Sequence, residues 1–552
     1  MKAIDGYDKL RGGYYTPCDI ADFIVEWVAS PPDGSILEPS CGDGSFLAAI
    51  EKYRSRYATH GVSSTDRVIG IELDPAEAEK ARRYGYSVIN GDYFTYYAQT
   101  IEGKRKFDAI IGNPPFIRYQ NFAEEYRIVA FELMKKHDFH PNRLTNIWLP
   151  FLLLSSEALG TNGKIGMVIP AELFQVDYAA EARNYLSSHF DKLTLITFKK
   201  LVFDDIQQEV VLLLGEKTSE DKGICVVELD GLDDLIHDGI SCLDKAETKK
   251  LDHSTDKWVK YYLSNEELDI LNRLNSDTRI SDASELFEVN VGLVSGENDF
   301  FLANWDTVSN RHLEKDVTPI ISRAEQVKGV VLSQSEYLDL RRSGKRVSLF
   351  APGDRPLKEL SEEARSYIAW GESRGFHENY KCRIRKRWYH VPTSWTADAF
   401  LIRQANLYPK MIINSAGALV TDTLHKVRFF DGIDGNSVAS AFLNIYTLAL
   451  SETLGRSYGG GVLTFEPGEM RRIRIPMRGA DQLDIHKIDQ LQRAGRYEEI
   501  LAYTDRILLH DNLDLSEHEI ATLHSIWNKM RDRRLSRKQS VDRKIGKLSA
   551  II

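Results

Sequence analysis

A chain of 552 residues exceeds what one hydrophobic core usually supports, so the sequence predicts at least two domains. Hydrophobic residues make up 43% and charged residues 28%, which is typical of folded globular proteins and excludes disordered, collagenous and membrane-embedded classes. The formal net charge of -10 argues mildly against a polyanionic partner, so the placement of the basic residues matters more than their total.

The five cysteines predict neither a metal site nor a disulfide framework, because the chain has no paired CxxC spacing and no His-rich ligand pattern. A reducing compartment fits this usage. Residues 1–13 lack the apolar core of a signal peptide, and the longest apolar run, 147–154, is too short to cross a bilayer. We therefore expect a cytoplasmic protein without a membrane partner.

Short apolar segments alternate with helix-like segments from residue 35 to residue 169. The predicted strands are SILEP, VIGIEL, SVING, FDAIIG and KIGMVIP, and the helical patterns include FLAAIEKY, AEAEKARRY and NIWLPFLLLSSEAL. Two later strands, LTLITFKK and EVVLLLGEK, complete the sheet as a hairpin. This alternation predicts an α/β fold with a mainly parallel sheet and helices on both faces, which binds ligands at the carboxyl ends of its strands.

The later part of the chain differs in composition. It becomes polar after residue 215 and irregular between about 230 and 281, which predicts a domain junction. Glycines and aromatic residues then predict a mixed α/β domain, and amphipathic patterns from residue 481 onward predict helices. The predicted domains are 1–250, 251–480 and a helical segment with a basic tail at 481–552.

A predicted strand, a glycine-containing turn and a helix follow one another in ILEPSCGDGSF, residues 36–46. Glycines at such a turn let a ligand approach the backbone, and the N–H groups of the helix face a carboxylate. Acidic residues end three successive strands: Glu38, Glu72 in GIELDP and Asp92 in NGDYF. Three such acids suit a ligand with an ammonium, a ribose diol and an adenine amino group. The turn lacks the third glycine of the dinucleotide motif GxGxxG.

These segments resemble the S-adenosylmethionine site of the class I methyltransferases, which have a Rossmann-like sheet. The resemblance implies S-adenosylmethionine as the cofactor, with Glu38 near the methionine ammonium and Glu72 on the ribose hydroxyls. It also implies that Leu73 packs on the adenine ring and that Asp92 accepts from the adenine amino group. The other predicted cofactor residues of these loops are Ser40, Gly42, Gly44 and Tyr93.

The segment DAIIGNPPF, residues 108–116, places an amide, two prolines and an aromatic ring at the end of a predicted buried strand. The amino group of adenine is a poor nucleophile because its lone pair is delocalised into the ring. The side-chain oxygen of Asn113 and the carbonyl of Pro114 would accept from both N–H bonds and localise that pair. Pro114 and Pro115 fix φ and hold the carbonyl in place, and Phe116 would stack on a base rotated out of the double helix.

The order of the motifs resembles the γ-class amino-methyltransferases of DNA, with GYYTP at 13–17 ahead of the GDG turn and a large recognition region after NPPF. The resemblance implies that Tyr15, Thr16 and Asn113 lie at the cofactor, with Thr16 on the methionine carboxylate, and that Phe151 packs on the cofactor adenine. Phe203 is either a second face for the flipped base or an ordinary packing residue. Many relatives have Tyr in place of Phe116, and Asp is also common in place of Glu38.

Basic residues concentrate late in the chain, at 381–387, 471–478 and 531–547. Segments in the second half resemble landmarks of the target-recognition domain in this group: 291–302, 383–392, 408–414 and 457–467. Basic and aromatic side chains there suit phosphate and base-edge contacts, and glycines let the backbone approach DNA. The predicted DNA-contacting residues are Arg385, Arg387, Trp388, Tyr389, Gly459 and Gly460.

The resemblance therefore implies a monomeric, site-specific adenine-N6 methyltransferase of double-stranded DNA, from a restriction-modification or defence system. The same chemistry on cytosine N4, an RNA base or a protein glutamine stays open, as does a non-catalytic DNA-binding protein with a vestigial cofactor fold. The early position of GYYTP leaves no room for an N-terminal nuclease, and no PD-(D/E)xK constellation is evident downstream. Cleavage is therefore expected from a separate cognate endonuclease.

Overall fold

The computed structural model describes residues 16–29, 33–57, 67–200, 202–203, 209–253, 256–392, 395–457 and 460–549. The chain divides into two compact units, one formed by the residues up to Leu268 and from Ser536 onward, the other by Asp269–Leu535. The helices between 481 and 535 thus group with the predicted recognition region. The division into three functional parts stays a prediction.

One large sheet forms the centre of the first unit. Its strands are β1 (Ile36–Glu38), β2 (Val68–Glu72), β3 (Ser87–Asn90), β4 (Phe107–Gly112), β5 (Leu159–Pro170), β6 (Lys192–Phe198), β7 (Val210–Glu216) and β8 (Gly223–Leu229). They are ordered β3-β2-β1-β4-β5-β7-β6-β8, and only β7 pairs antiparallel with its neighbours. This confirms the predicted mainly parallel sheet with a closing hairpin. The carboxyl ends of β1 to β4 consequently meet at one edge.

Helices alternate with these strands: α1 (Cys18–Val28), α2 (Ser45–Tyr57), α3 (Pro75–Ala81), α4 (Tyr93–Tyr96), α5 (Glu124–Lys136), α6 (Trp148–Glu157), α7 (Ala180–His189) and α8 (Leu232–Asp238). The packing of α1 positions the start of the described chain. A Cβ on Gly166 of β5 would lie 2.5 Å from Cγ2 of Ile24, so the glycine lets α1 pack directly on the strand. This contact fixes Thr16, just before the helix.

The second unit is a mixed α/β structure with several small sheets. Its strands are β9 (Ser281–Asp282), β10 (Phe287–Val291), β11 (Leu302–Ala303), β12 (Val317–Ile321), β13 (Val331–Leu332), β14 (Ser348–Phe350), β15 (Ala399–Ile402), β16 (Gln404–Ala405), β17 (Met411–Asn414), β18 (Leu419–Val420), β19 (Leu424–Phe429), β20 (Arg456–Ser457), β21 (Leu463–Thr464) and β22 (Arg474–Ile475). The largest of these sheets has the order β10-β19-β15-β17-β13.

The helices from residue 265 onward are α9 (Asn265–Asn275), α10 (Ala283–Leu286), α11 (Asn298–Phe301), α12 (Trp305–Asn310), α13 (Gln334–Arg342), α14 (Glu362–Ser373), α15 (Tyr380–Arg383), α16 (Gly435–Ala441), α17 (Ile445–Leu454), α18 (Pro467–Met470), α19 (Ile485–Arg493), α20 (Tyr497–Asp505) and α21 (Glu517–Ser549). Gly495, with φ of 72°, separates α19 from α20, which the amphipathic pattern presents as one continuous stretch. None of the helices in the described ranges is long and apolar enough to span a bilayer.

Candidate active site

A buried carboxylate ends β1. The Glu38 side chain is 1% exposed, and its Oε2 atom has no hydrogen-bond partner among the described residues. Burial first, and then the charges of Glu72 and Asp43, hold the pKa of Glu38 well above its usual range. A buried acceptor without a partner is costly unless a cation or donor reaches it, so Glu38 fits a ligand with an ammonium group.

The glycine-containing turn after β1 is tied to the end of β2. Gly42 has φ of 53°, and its N–H donates to Oε2 of Glu72 at 2.9 Å. The N–H of Asp74 donates to the other oxygen, Oε1, at 2.8 Å, and burial raises the pKa of Glu72. The carboxylate therefore holds two loops together, and each oxygen keeps a lone pair with which to accept from a ribose hydroxyl.

Replacing Gly44 by alanine is expected to destabilise the first unit by about 2 kcal/mol and to weaken cofactor binding. Gly44 has φ of 93°, and an added Cβ would lie 2.9 Å from the ring of Tyr84. Urea denaturation measures the loss. Gly91→Ala is the matched control, because no atom lies within 4 Å of its added Cβ, and we expect a change below about 0.5 kcal/mol. Equal losses in the two variants would contradict this role of Gly44.

Loop residues after β2 and β3 form the next part of the edge. Leu73 is 45% exposed, which suits its predicted packing on an adenine ring. The side-chain amide of Asn90 donates to the carbonyls of Glu72 at 2.9 Å and Leu73 at 3.1 Å. Asn90 is not among the site residues predicted from the sequence, although an amide at the end of a predicted strand is a recognisable signal. Asp92 caps α4, since its Oδ2 accepts from the N–H of Thr95 at 2.7 Å, and burial raises its pKa.

Tyr93 and Phe151 pack against each other, with ring centroids 5.1 Å apart and planes 15° apart. Both side chains are at most 5% exposed, and the Tyr93 hydroxyl is 3.1 Å from that of Ser155. Phe94 contacts the edge of Phe151 at 4.7 Å. Phe151 therefore packs beneath the segment that follows β3. Its predicted contact with the cofactor adenine stays a prediction.

Asn113 follows β4 at the same edge of the sheet. Its Nδ2 donates to Oγ1 of Thr16 at 3.2 Å, and its backbone carbonyl accepts from the Ser40 hydroxyl at 3.3 Å. The segment before α1, the turn after β1 and the end of β4 are therefore joined at one residue. This arrangement brings together Thr16, Ser40 and Asn113, three of the predicted site residues.

The residues after Asn113 continue along the surface of the first unit. Pro114 is buried, whereas Pro115 and Phe116 are half-buried. The Phe116 ring packs against a core cluster to which Phe203 belongs, and Phe203 is 6% exposed. This burial favours the packing interpretation of Phe203, whose contact with a flipped base stays a prediction.

Replacing Thr16 by valine is expected to lower the methyl-transfer rate about tenfold, since the isostere removes the acceptor that orients the Asn113 amide. Single-turnover kinetics at saturating cofactor measure the change. Thr16→Ser keeps the hydroxyl and is expected to restore most of the rate. A valine variant that loses only cofactor affinity would show that Thr16 acts on the cofactor alone.

The predicted DNA-contacting residues lie in the second unit, and most have internal partners. Nη2 of Arg385 donates to the carbonyl of Val294 at 2.8 Å, and Arg387 pairs with Asp354. Nε1 of Trp388 donates to Glu372 at 3.0 Å.

Tyr389 is 7% exposed, and its hydroxyl donates to the carbonyl of Arg355 at 2.9 Å. Gly460 is exposed, whereas Tyr15 and Gly459 lie outside the described residues. Contact of this set with DNA stays a prediction.

Two family models match long stretches of the chain. The model for the Eco57I restriction-modification methylase matches residues 50–203, and the model for the Type II methyltransferase M.Eco57I, C-terminal domain, matches residues 255–509. The two models together cover most of the chain, which is a DNA methyltransferase of the restriction-modification type, similar to the Eco57I methylases.

Relatives of this methylase match it along most of their length. The Type II methyltransferase M.AccI of Acinetobacter calcoaceticus is 23% identical over 520 residues, 90% of this chain and 92% of the relative. M.XamI of Xanthomonas campestris pv. amaranthicola is 23% identical over 482 residues, 84% and 85% of the two chains. The solved Type IIL restriction-modification enzyme MmeI, in complex with DNA, matches 93% of this chain and 75% of its own, with a TM-score of 0.56 at 10% identity. MmeI therefore shares the fold.

The cofactor of this DNA methyltransferase is S-adenosylmethionine, as the sequence predicts. When bound, S-adenosylmethionine supplies a methyl group activated by a sulfonium. The buried, unpartnered oxygen of Glu38 fits its ammonium. Glu72, Leu73 and Asp92 are the residues that would hold its adenosine part.

Proposed function

We propose that this methylase transfers the methyl group to N6 of an adenine rotated out of duplex DNA at a specific sequence. The observation that carries the proposal is the position of Asn113, held through its side chain by Thr16 and through its carbonyl by Ser40, at the strand edge where Glu38 lies. The order of the motifs, with the Thr16 segment first, the GDG turn next and NPPF after them, is typical of the γ class and favours adenine over cytosine N4.

The side chains at this edge activate the amino group by accepting its hydrogens. Because Nδ2 of Asn113 donates to Thr16, its Oδ1 is oriented as an acceptor for one N–H of the base. The carbonyl of Pro114 accepts from the other N–H, and the two prolines keep that carbonyl in place. Both bonds shift electron density onto the nitrogen. They are stronger once the nitrogen begins to bond to carbon, so they lower the barrier and not only the energy of binding.

Phe116 compensates for the stacking that the base loses on leaving the duplex. Its half-buried ring packs on the core behind it, which fixes its orientation. Stacking on an aromatic ring contributes about 1–3 kcal/mol per base. After transfer, the nitrogen loses its proton to water, because a protonated aromatic amine is a strong acid.

The second unit supplies sequence recognition in this proposal, and double-stranded DNA is its partner. A monomer suffices, because one rotated base needs one active site. A separate cognate endonuclease would cut unmodified sites. Sedimentation of the protein with and without a duplex tests the monomer, and a stable dimer in both samples would contradict it.

The test of the proposed base is modification-sensitive long-read sequencing of DNA from a methylation-free host that expresses the chain. Asn113→Ala is the matched control. We expect N6-methyladenine at one short motif in the first sample and none in the second. N4-methylcytosine at the motif would contradict the adenine assignment, and an unmarked genome beside methylated RNA or protein would contradict the DNA substrate.

A further inference from the structure

A group of exposed cations in the second unit contrasts with the engaged arginines described above. Lys381, Arg383 and Lys386 are exposed and lie on or just after α15, and Arg428 is exposed on β19. None of these four pairs with a carboxylate within the described part of the chain. We call these four residues, together with Lys426, the basic face.

Other basic residues of the second unit are used differently. Arg474 donates to the carbonyls of Leu274 and Asp277, both at 3.2 Å. Arg534, in the basic tail, is 2% exposed, and it forms a two-point ion pair with Glu452. Such arginines hold the fold and are unavailable to a ligand. Lys381, Arg383, Lys386 and Arg428 form no such ion pair within the described part of the chain.

Exposed apolar side chains adjoin these cations. Tyr380 is 64% exposed, Ile384 is 59% exposed and Val294 is 43% exposed. Exposed apolar residues rimmed by polar or charged side chains are a feature of interaction surfaces. Here the charge is positive, which matches a polyanion.

Val294 lies between the two parts of the basic face, the cations on or after α15 and the cations of β19. Its carbonyl accepts from Arg385, which follows α15, and its side chain lines a cleft of about 200 Å³ with Trp395 and Lys426. The ammonium of Lys426 and the guanidinium of Arg428 each lie 4.3 Å from the centroid of the Trp395 ring. The Trp395 ring therefore holds both cations next to each other through cation–π contacts.

Carboxylates near the basic face are engaged elsewhere. Glu288 lies opposite Arg428 in the ladder of β10 and β19, but its Oε1 accepts from the side-chain amide of Asn290 at 2.7 Å. Glu297 accepts from the N–H of Asp299 at 3.0 Å at the start of α11. Oε1 of Glu288 and Oε1 of Glu297 therefore accept from amide groups, while the charge of Glu288 also acts on Lys426.

We propose that the basic face binds the phosphates of the DNA duplex, with the apolar residues beside it against the sugars and base edges. This inference rests on the proposed function, in which the second unit binds DNA. Trp388 is partly buried and Tyr389 is 7% exposed, so the exposed side chains of the basic face are more accessible to a ligand. Phosphate contacts position a protein on the duplex and leave base readout to other side chains.

The test is the salt dependence of DNA binding by the full chain, measured by fluorescence anisotropy with a labelled duplex of mixed sequence. The variant carries Lys381→Ala, Arg383→Ala and Lys386→Ala. Each lost phosphate contact reduces the slope of log K against log salt by about 0.9, so we expect the slope to fall by about 2–3 and the affinity at about 0.1 M salt to fall at least tenfold. Arg428→Ala alone is expected to reduce the slope by about 1.

The matched control removes three exposed cations elsewhere in the second unit, through Lys345→Ala, Lys358→Ala and Arg365→Ala. It changes the net charge equally and is expected to bind nearly as the unaltered protein does. A variant with Lys381→Arg, Arg383→Lys and Lys386→Arg keeps the charges and is expected to keep the slope. Thermal unfolding of each variant verifies the fold.

Unchanged binding in the first variant, or equal losses in the first variant and the control, would overturn the basic face. The sequencing experiment tests the proposed function separately. If it found methylated cytosine, the adenine assignment would be wrong, but the salt slopes would still test the basic face. Failure of the unaltered protein to bind DNA would remove both.

Discussion

Asn113→Ala is expected to lower the methyl-transfer rate by about 10²–10³-fold, with little change in cofactor affinity. The variant removes one of the two acceptors for the amino group, and the loss of one oriented polar group at a reacting centre has effects of this size. Ser40 would keep its bond, because its hydroxyl donates to the backbone carbonyl of residue 113, whereas Thr16 would lose only the amide that donates to its hydroxyl. Single-turnover methylation and calorimetric titration of the cofactor separate the two effects.

Two further variants make this result specific. Asn113→Asp keeps an oxygen acceptor but loses the amide donor to Thr16, so we expect a rate between those of the alanine variant and the unaltered protein. Asn272→Ala makes the same chemical change at an exposed position of α9 and is expected to leave the rate unchanged. An alanine variant at position 113 with more than about a tenth of the normal rate would contradict the role of its side chain.

The sequence predicts the first unit well because its signals are local. Each predicted strand from SILEP to EVVLLLGEK corresponds to an observed strand, and the acids that end them lie at one sheet edge. The strand β8 is the exception. Its residues GICVVEL follow a polar stretch typical of a linker, and they pair in parallel with β6. The short apolar run of Ile224, Val226 and Val227 is a local strand signal, but the polar residues before it favour a linker.

Contacts within the candidate site are also harder to predict from the sequence than its residue types. Residue types predict that Glu38 and Asn113 belong to one site, but no spacing predicts that the Asn113 amide donates to Thr16, 97 positions earlier. Basic and aromatic residues around position 388 predict nucleic-acid contact, but they do not predict that the Trp388 ring centroid lies 4.6 Å from that of Phe300 beside a hydrophobic cluster. The composition of a short segment does not reveal which of its side chains face the core. The burial of each side chain in the folded structure shows this.

Glu38→Gln is expected to weaken S-adenosylmethionine binding at least thirtyfold while it stabilises the cofactor-free protein at neutral pH. The carboxylate is 1% exposed and one of its oxygens has no partner among the described residues, so its charge costs free energy until a cation offsets it. The amide removes that cost, which we expect to raise the free energy of unfolding by about 1–3 kcal/mol. It also removes the anion that the methionine ammonium contacts, and losing one partner of a buried charged contact costs about 2 kcal/mol or more.

The pH dependence gives this prediction its sign. Because the pKa of Glu38 is raised above its ordinary value of 4.5, the folded protein holds a proton that the unfolded chain has already released. Between these two pKa values the folded state binds more protons, so stability falls as pH rises. The stabilising contribution is complete below the unfolded pKa and is lost as pH passes the raised folded pKa. Glu38→Gln has no such proton, and its stability is expected to lack this fall.

Urea denaturation over a pH series, with and without cofactor, measures both effects on the same samples. Glu51→Gln, at an exposed position of α2, is the matched control and is expected to change neither quantity. Since an ammonium favours the ionised carboxylate, cofactor binding to the unaltered protein should release a proton and weaken as pH falls. A glutamine variant that loses stability and keeps its cofactor affinity would contradict both parts, because it would mean that the Glu38 charge is satisfied within the fold and has no ligand to meet.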